Sequence, residues 1–278
     1  MKQHFKFYAL IVLFFIASTL LGASDSNTTI KIMPLGDSIT YDNSIADLTD
    51  PRPISRRTAY RSHLWYMLRD AGYGADFVGS RSAGWAVTPP FDPDNEGHPG
   101  WHSDDIAEKT YDYMTHSTPD IVLLHIGTND KQTSIAGIRT ILREIDTYEE
   151  VSGQSVRVIV ALIIDKQEKN NIIRIFNKKL QVLLTSRLLD GDNIAIVDMY
   201  KGAGLITADY ADNLHPNTNG YKKMAKVWFN ALITPYNLKL NMYPATVVDK
   251  SYIESVTVNA KTNSVQYITA VPPSGIKF

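Results

Sequence analysis

The run Ile30-Lys31-Ile32-Met33-Pro34-Leu35-Gly36-Asp37-Ser38-Ile39-Thr40 decides how the chain is read. Ile30, Ile32 and Met33 are apolar and give way abruptly to Pro34, Leu35 and Gly36, the pattern of a short buried strand entering a tight turn. Gly36 lets the backbone turn where a side chain would clash. Ser38 then lies just past the strand, where a parallel α/β sheet presents its functional groups. A serine there also suits a helix N-cap, and the run by itself favours that plainer role.

Two later stretches change the balance. Ile121 to Asp130, I-V-L-L-H-I-G-T-N-D, is a second buried strand that ends in a glycine turn with Asn129 beyond it. Asp212 to Tyr221, D-N-L-H-P-N-T-N-G-Y, sets Asp212 three residues before His215. Together these supply the parts of acyl transfer: a hydroxyl nucleophile, an amide for an oxyanion, an imidazole base and a carboxylate to orient it. A serine hydroxyl is inert until a base takes its proton, and imidazole titrates near neutrality. The plainer roles are a turn-capping Asp212 and an Asn129 that holds its loop.

At these residues the chain resembles a known family. Gly36-Asp37-Ser38-Ile39-Thr40, Gly100, Gly127-Thr128-Asn129-Asp130 and Asp212-Asn213-Leu214-His215-Pro216 resemble, in order, the four sequence blocks of the SGNH (GDSL-type) hydrolases. The resemblance covers residues 30–232. The fuller runs Met33 to Tyr41, Asn95 to Trp101 and His125 to Asp130 are similar to carbohydrate esterase family 3, which includes acetylxylan esterases. The resemblance implies Ser38, His215 and Asp212 as the catalytic triad. It implies an oxyanion hole from the backbone N–H groups of Ser38 and Gly100 and the side-chain amide of Asn129. Asp37, His98 and Trp101 stand as candidate substrate contacts, although Asp37 and Asp130 also read as local turn and cap carboxylates. No metal or cofactor is expected, since acyl transfer through serine needs none.

Strand and helix patterns alternate about five times along the chain, which argues for a parallel sheet with helices on both faces. The resemblance implies the same shape, a flavodoxin-like three-layer α/β/α sandwich. Helices are expected over 58–71, 104–116, 134–151, 169–189 and 218–232. Strands are expected over 76–80, 121–126, 156–164 and 194–199. Residues 41–57 read as a solvated charged loop with Arg52, Arg56 and Arg57. Residues 82–103 read as a long loop, with aromatics that either stack on sugars or pin the loop to the body. His98 and His102 flank Gly100 without convincing metal-ligand spacing and read as surface or substrate contacts. His125 reads as a buried, hydrogen-bonded histidine. After residue 235 the rhythm breaks. Val256 and Val258, then Val265, Tyr267 and Thr269, alternate with polar residues as in two strands around a turn.

Three segments follow: 1–24, 25–235 as the hydrolase domain, and 236–278 as a β-rich appendage or a linker into a further module. In the first, Lys2 and Lys6 precede an apolar run from Phe7 to Leu21 and the small residues Gly22, Ala23 and Ser24. That is the order of a secretory signal peptide, so a secreted protein with no stable membrane association is expected. An uncleaved anchor is the other reading. The 278 residues carry a net charge of −1 and no cysteine, which excludes disulfides and thiol catalysis and gives no sign of a nucleic-acid partner. There is no Gly-x-Ser-x-Gly elbow and no phosphate-binding glycine loop. The expected function is a serine esterase acting on acetylated polysaccharide such as xylan. A lipid or small-ester esterase is the alternative within the class. A non-catalytic carbohydrate-binding module on the same fold is the alternative outside it.

Overall fold

A computed structural model of the protein describes residues 29–233 and two later segments, 253–259 and 264–269. The expected signal peptide and much of the expected appendage lie outside the described residues.

The elements are β1 (Ile30–Gly36), α1 (Ser38–Tyr41), α2 (Ala59–Asp70), β2 (Ala75–Phe77), β3 (Arg81–Ser82), β4 (Asp94–Gly97), α3 (Ser103–Ala107), α4 (Thr110–Ser117), β5 (Ile121–His125), α5 (Ala136–Ser152), β6 (Arg157–Leu162), α6 (Asn171–Leu189), β7 (Ile194–Asp198), α7 (Met199–Gly202) and α8 (Thr218–Ile233). The later segments are β8 (Ile253–Asn259) and β9 (Ser264–Thr269).

The main sheet runs β3-β4-β1-β5-β6-β7, with β2 beside β1. Every pairing is parallel except β3 with β4. Strand β5 lies along one edge of β1, from Ile32 opposite Ile121 to Gly36 opposite His125. The other edge of β1 is shared. Strand β2 pairs with Ile30 to Ile32, and β4 pairs with Leu35 and Gly36.

Because side chains alternate along a strand, each strand feeds two cores. Met33, Leu35, Val122, Leu124, Val158 and Val160 pack under α3 to α6, with Ile138, Ile141, Leu142 and Ile145 of α5 at helical spacing. Ile32, Leu123, Ile159 and Val197 pack under α2 and α8, against Tyr60, Leu64, Met224 and Trp228. This is the three-layer α/β/α sandwich expected from the alternation. Each such aliphatic, fully buried, contributes about 1.5–3 kcal/mol. No helix among the described residues is long and apolar enough to cross a membrane.

Three expectations are corrected. The single helix over 104–116 is two helices: Lys109 N bonds Ile106 O at 3.0 Å and Thr110 Oγ1 returns to the same carbonyl at 2.8 Å, tightening the turn between them. Residues 82–103 are not all loop. Strand β4 lies among them, built from Asp94, Asn95, Glu96 and Gly97, and has no apolar pattern to betray it. Residues 41–57 are not a solvated loop, because Arg57 and Asp47 are buried there. Strands β8 and β9 pair antiparallel, with Val256 opposite Tyr267 and Val258 opposite Val265, as their alternation predicts.

Candidate active site

The site begins where β1 ends. A Cβ on Gly36 would lie 2.3 Å from the His125 carbonyl oxygen and 2.5 Å from Thr40 Oγ1, so only glycine fits between β1 and β5. Asp37 follows and caps α1, its Oδ1 accepting from Ile39 N at 2.9 Å. Its other oxygen, Oδ2, is buried without a hydrogen-bond partner, as is Thr128 Oγ1, which lies near it outside hydrogen-bond geometry. Burial pushes the Asp37 carboxyl up to about 7, against the opposing pull of the Ile39 amide. A direct substrate contact by Asp37 is therefore corrected: the carboxyl lies wholly inside the protein, beneath the turn.

Ser38 is the first residue of α1. It is 6% exposed, and its Oγ lies 3.0 Å from His215 Nε2. His215 sits in a loop closed by Ala211 N bonding His215 O at 2.8 Å. Asp212 Oδ1 accepts from the amides of Leu214 and His215, each at 2.8 Å. Asp212 Oδ2 lies 2.9 Å from His215 Nδ1 and accepts from Ile45 N at 2.9 Å. Burial alone raises the Asp212 carboxyl, but the amides of Ile45, His215 and Leu214 and the imidazole together hold it below the usual carboxylate value. A carboxylate beside Nδ1 selects the tautomer that donates there, which leaves Nε2 to accept from the Ser38 hydroxyl.

The third side of the site is the turn His98-Pro99-Gly100-Trp101. Trp101 N bonds His98 O at 3.2 Å, with proline second and Gly100 third at φ +83°, as a type II turn requires. A Cβ on Gly100 would meet nothing within 4 Å, so the glycine is there for its φ and not for space. His98 N bonds Gly36 O at 2.8 Å, fastening the turn to the end of β1. No hydrogen bond among the described residues uses the N–H of Ser38 or of Gly100. Asn129 Nδ2 donates one proton to Trp101 O at 2.9 Å and keeps a second. Asp130 holds Ser103 N at 2.8 Å and Ser103 Oγ at 2.6 Å, at the start of α3.

His98 is corrected too. Its Nε2 lies 2.6 Å from Glu96 Oε1, and its ring stacks on Trp101 at 4.1 Å and on Tyr113 at 5.4 Å between centroids. Both ring faces and Nε2 are engaged within the protein and Nδ1 is buried, so the ring reads as a brace for the turn and not as a substrate contact. Trp101 is half-buried against the core and braces the turn, with part of its surface still open. His102 is exposed beside Asp105. His125 is buried, its Nε2 accepting from Ile164 N at 3.3 Å, and burial lowers it to about 4, which keeps it neutral.

Arg61 is a residue that the motifs do not single out. Its buried guanidinium donates to the carbonyls of Thr40, Ala83, Pro93 and Arg57 at 2.9–3.2 Å, and to Tyr41 O at 3.5 Å. Burial lowers it to about 10, so it stays charged. It ties the chain after Ser38 to the ends of the 83–93 excursion. A signal for it exists: Arg61, Leu64 and Leu68 fall at helical spacing on the buried stripe of α2. Glu96, buried and bonded to Ser80 and His98, gives no such sign.

Known proteins share the overall fold. A carbohydrate esterase family 3 from Talaromyces cellulolyticus superposes with a TM-score of 0.62 at 27% identity, over 77% of this chain and 100% of that one. The Clostridium thermocellum family 3 carbohydrate esterase gives 0.61 at 28% identity, over 73% of this chain and 94% of that one. The fold is that of the SGNH hydrolases. A multidomain esterase from Ruminococcus flavefaciens is 28% identical over 75% of this chain, and the chain spans 29% of that relative's length. No protein-family model matches the chain. Within the SGNH fold the chain stands beside carbohydrate esterase family 3.

Proposed function

We propose that the chain is a secreted serine esterase that removes acetyl groups from a polysaccharide such as acetylated xylan. The observation that carries the reading is the file of atoms Ser38 Oγ, His215 Nε2, His215 Nδ1 and Asp212 Oδ2, with gaps of 3.0 and 2.9 Å. Ser38 Oγ attacks the ester carbonyl as its proton passes to His215 Nε2. Asp212 accepts from Nδ1 and steadies the imidazolium. The carbonyl oxygen, now negative, takes hydrogen bonds from the N–H groups of Ser38 and Gly100 and from the free proton of Asn129, each worth roughly 3 kcal/mol in the transition state. His215 returns its proton to the departing sugar hydroxyl. Water then repeats the sequence on the acyl-enzyme and releases acetate.

Sugar as the leaving group is supported by Trp85, 56% exposed, whose neighbours are pinned by Gly84 N to Ile54 O at 3.0 Å and Ala86 N to Ser55 O at 2.8 Å. A flat apolar ring on fixed backbone suits the face of a sugar. The second reading, an esterase of longer acyl chains, is favoured by Ile45, Leu48 and Ile54, which stand exposed along the loop that reaches Asp212.

The test is acetate release from acetylated xylan and turnover of aryl acetate, butyrate and octanoate by the wild type and Ser38→Ala. Acetate release, a steep fall of kcat/KM with acyl length and no turnover by Ser38→Ala are expected. Octanoate turned over as well as acetate, with the polysaccharide untouched, moves the assignment to lipid-type esters. Near-wild-type turnover by Ser38→Ala removes the triad reading.

A further inference from the structure

One loop outside the four blocks reaches the triad, and it does so through its backbone. Ile45 N donates to Asp212 Oδ2, whereas the local amides of Leu214 and His215 both go to Oδ1. What holds Ile45 in place is charged. Asp47 accepts from Ser44 N at 2.7 Å, Ser44 Oγ at 3.0 Å, Arg52 N at 2.9 Å, Arg52 Nε at 3.0 Å and an Arg52 terminal nitrogen at 2.7 Å. Arg57 adds a contact at 3.5 Å. Ser44 directly precedes Ile45, so Asp47 sets the peptide that carries the Ile45 N–H.

Arg52 continues the chain of contacts. It donates to Asp42 O and Asp42 Oδ1, both at 3.1 Å. Asp42 ends α1, its amide bonded to Ser38 O at 2.9 Å, and its Oδ2 accepts from Thr58 N and Ala59 N. A continuous path thus runs from Ser38 through Asp42, Arg52, Asp47 and Ile45 to Asp212. An exposed ion pair contributes little, but the Asp47 side chain is 1% exposed and the Arg52 fork meets it with two nitrogens.

We propose that Asp47 and Arg52 form a positioning clasp that holds the Ile45 amide on Asp212 and so fixes the carboxylate that aims His215 at Ser38. The proposal rests on the triad reading above. The clasp touches no substrate. It acts through Asp212, and its loss lowers kcat with little change in KM.

The deciding variant is Ile45→Pro. Ile45 has φ −61°, which is the angle of a proline, and its side chain is exposed, so the substitution removes the N–H donor and leaves the clasp bonds in place. Its kcat on p-nitrophenyl acetate is expected to fall about tenfold, as for loss of one hydrogen bond to a charged group, with KM within about twofold. Asp47→Asn and Arg52→Ala give the same pattern. Arg52→Lys recovers part of the rate, because an ammonium replaces the charge but not the fork. In proton NMR the low-field resonance of the His215 Nδ1 proton shifts or broadens in all of these variants. Ala46→Ser, at an exposed residue of the same loop, leaves rate and resonance unchanged.

Wild-type kcat in Ile45→Pro overturns the proposal. So does a loss in Asp47→Asn that falls wholly on KM with the resonance unmoved, since the loop then serves substrate binding. If Asp47→Asn fails to fold, Ile45→Pro still decides. An inactive Ser38→Ala beside wild-type clasp variants sinks the clasp alone, whereas an active Ser38→Ala sinks the triad reading.

Discussion

Ser38, the proposed nucleophile, and His215, its proposed base, reach the same point by different physics. On the nucleophile's side, position is fixed by space. Besides Gly36, a Cβ on Gly97 would fall 2.7 Å from Tyr41 N, and one on Gly127 would fall 2.5 Å from the Phe176 ring. Strands, turn and helix meet there with no room to adjust. On the base's side, position is fixed by hydrogen bonds. Asp212 is a half-buried loop residue held by three amides and an imidazole, and one of those amides depends on an ion pair farther out. A steric constraint fails all at once, whereas a set of polar contacts fails by degrees.

The largest expected effect breaks the steric half. Gly36→Ala sets a methyl against the backbone carbonyl of His125, which cannot swing aside as a side-chain end can. The variant is expected to lose cooperative unfolding by circular dichroism, or to fold without any site titratable by a fluorophosphonate. A folded Gly36→Ala with wild-type labelling shows that the turn is not sterically fixed and ends the comparison.

The next effect breaks the polar half and spares the fold. Asp212→Asn keeps the shape of the side chain but presents an amide to Nδ1, favouring the wrong tautomer. Its kcat should fall on the order of 10³- to 10⁴-fold with KM little changed. The thermal midpoint should stay close to that of the wild type. A collapse of the fold instead places Asp212 among the structural residues, on the same footing as Gly36.

The smallest effect sharpens the contrast by testing a buried carboxyl inside the steric half. The Asp37 carboxyl titrates near 7 in the folded protein, against 3.8 in an ordinary setting. A raised carboxyl favours the fold in its protonated form, so this contribution is present below about pH 4 and is lost as pH rises through about 7. An asparagine side chain at this position stays neutral and still caps α1. Asp37→Asn should therefore raise the thermal midpoint by roughly a few degrees at pH 8 and less at pH 5. An equal change at both values shows that the carboxyl is ionised, and solvated or paired, throughout.

The steric half is the legible half. Strand followed by glycine followed by a functional residue is a local pattern, and it marks Ser38 and Asn129 from their immediate neighbours in the chain. The Asp212–His215 spacing is equally local. What escapes such reading is polar and distant in sequence. Arg61 binds carbonyls 4 to 32 residues away, and Glu96 reaches back to Ser80. Strand β4 hides because its buried side chains are Asn95 and Glu96, which pattern-reading assigns to loops. The arginines at 52 and 57 read as solvated for the same reason. Only three dimensions reveal that Asp47 is buried beside them.

The shared edge of β1 has an architectural consequence. Strand β2 leaves from the lower part of that edge and β4 returns to the upper part, so residues 78–93 depart from and come back to one strand. Neither the register of β1 with β5 nor the order of the remaining strands depends on how many residues the excursion contains. Arg61 clips the excursion at Ala83 and Pro93, and the stretch between them is fastened to the body at Ile54 and Ser55 and by the buried Phe91. The exposed Trp85 lies inside that stretch, whereas Ser38, Asn129 and His215 lie outside it. The surface around Trp85 is thereby separate in the chain from Ser38, Asn129 and His215, the residues proposed to carry catalysis.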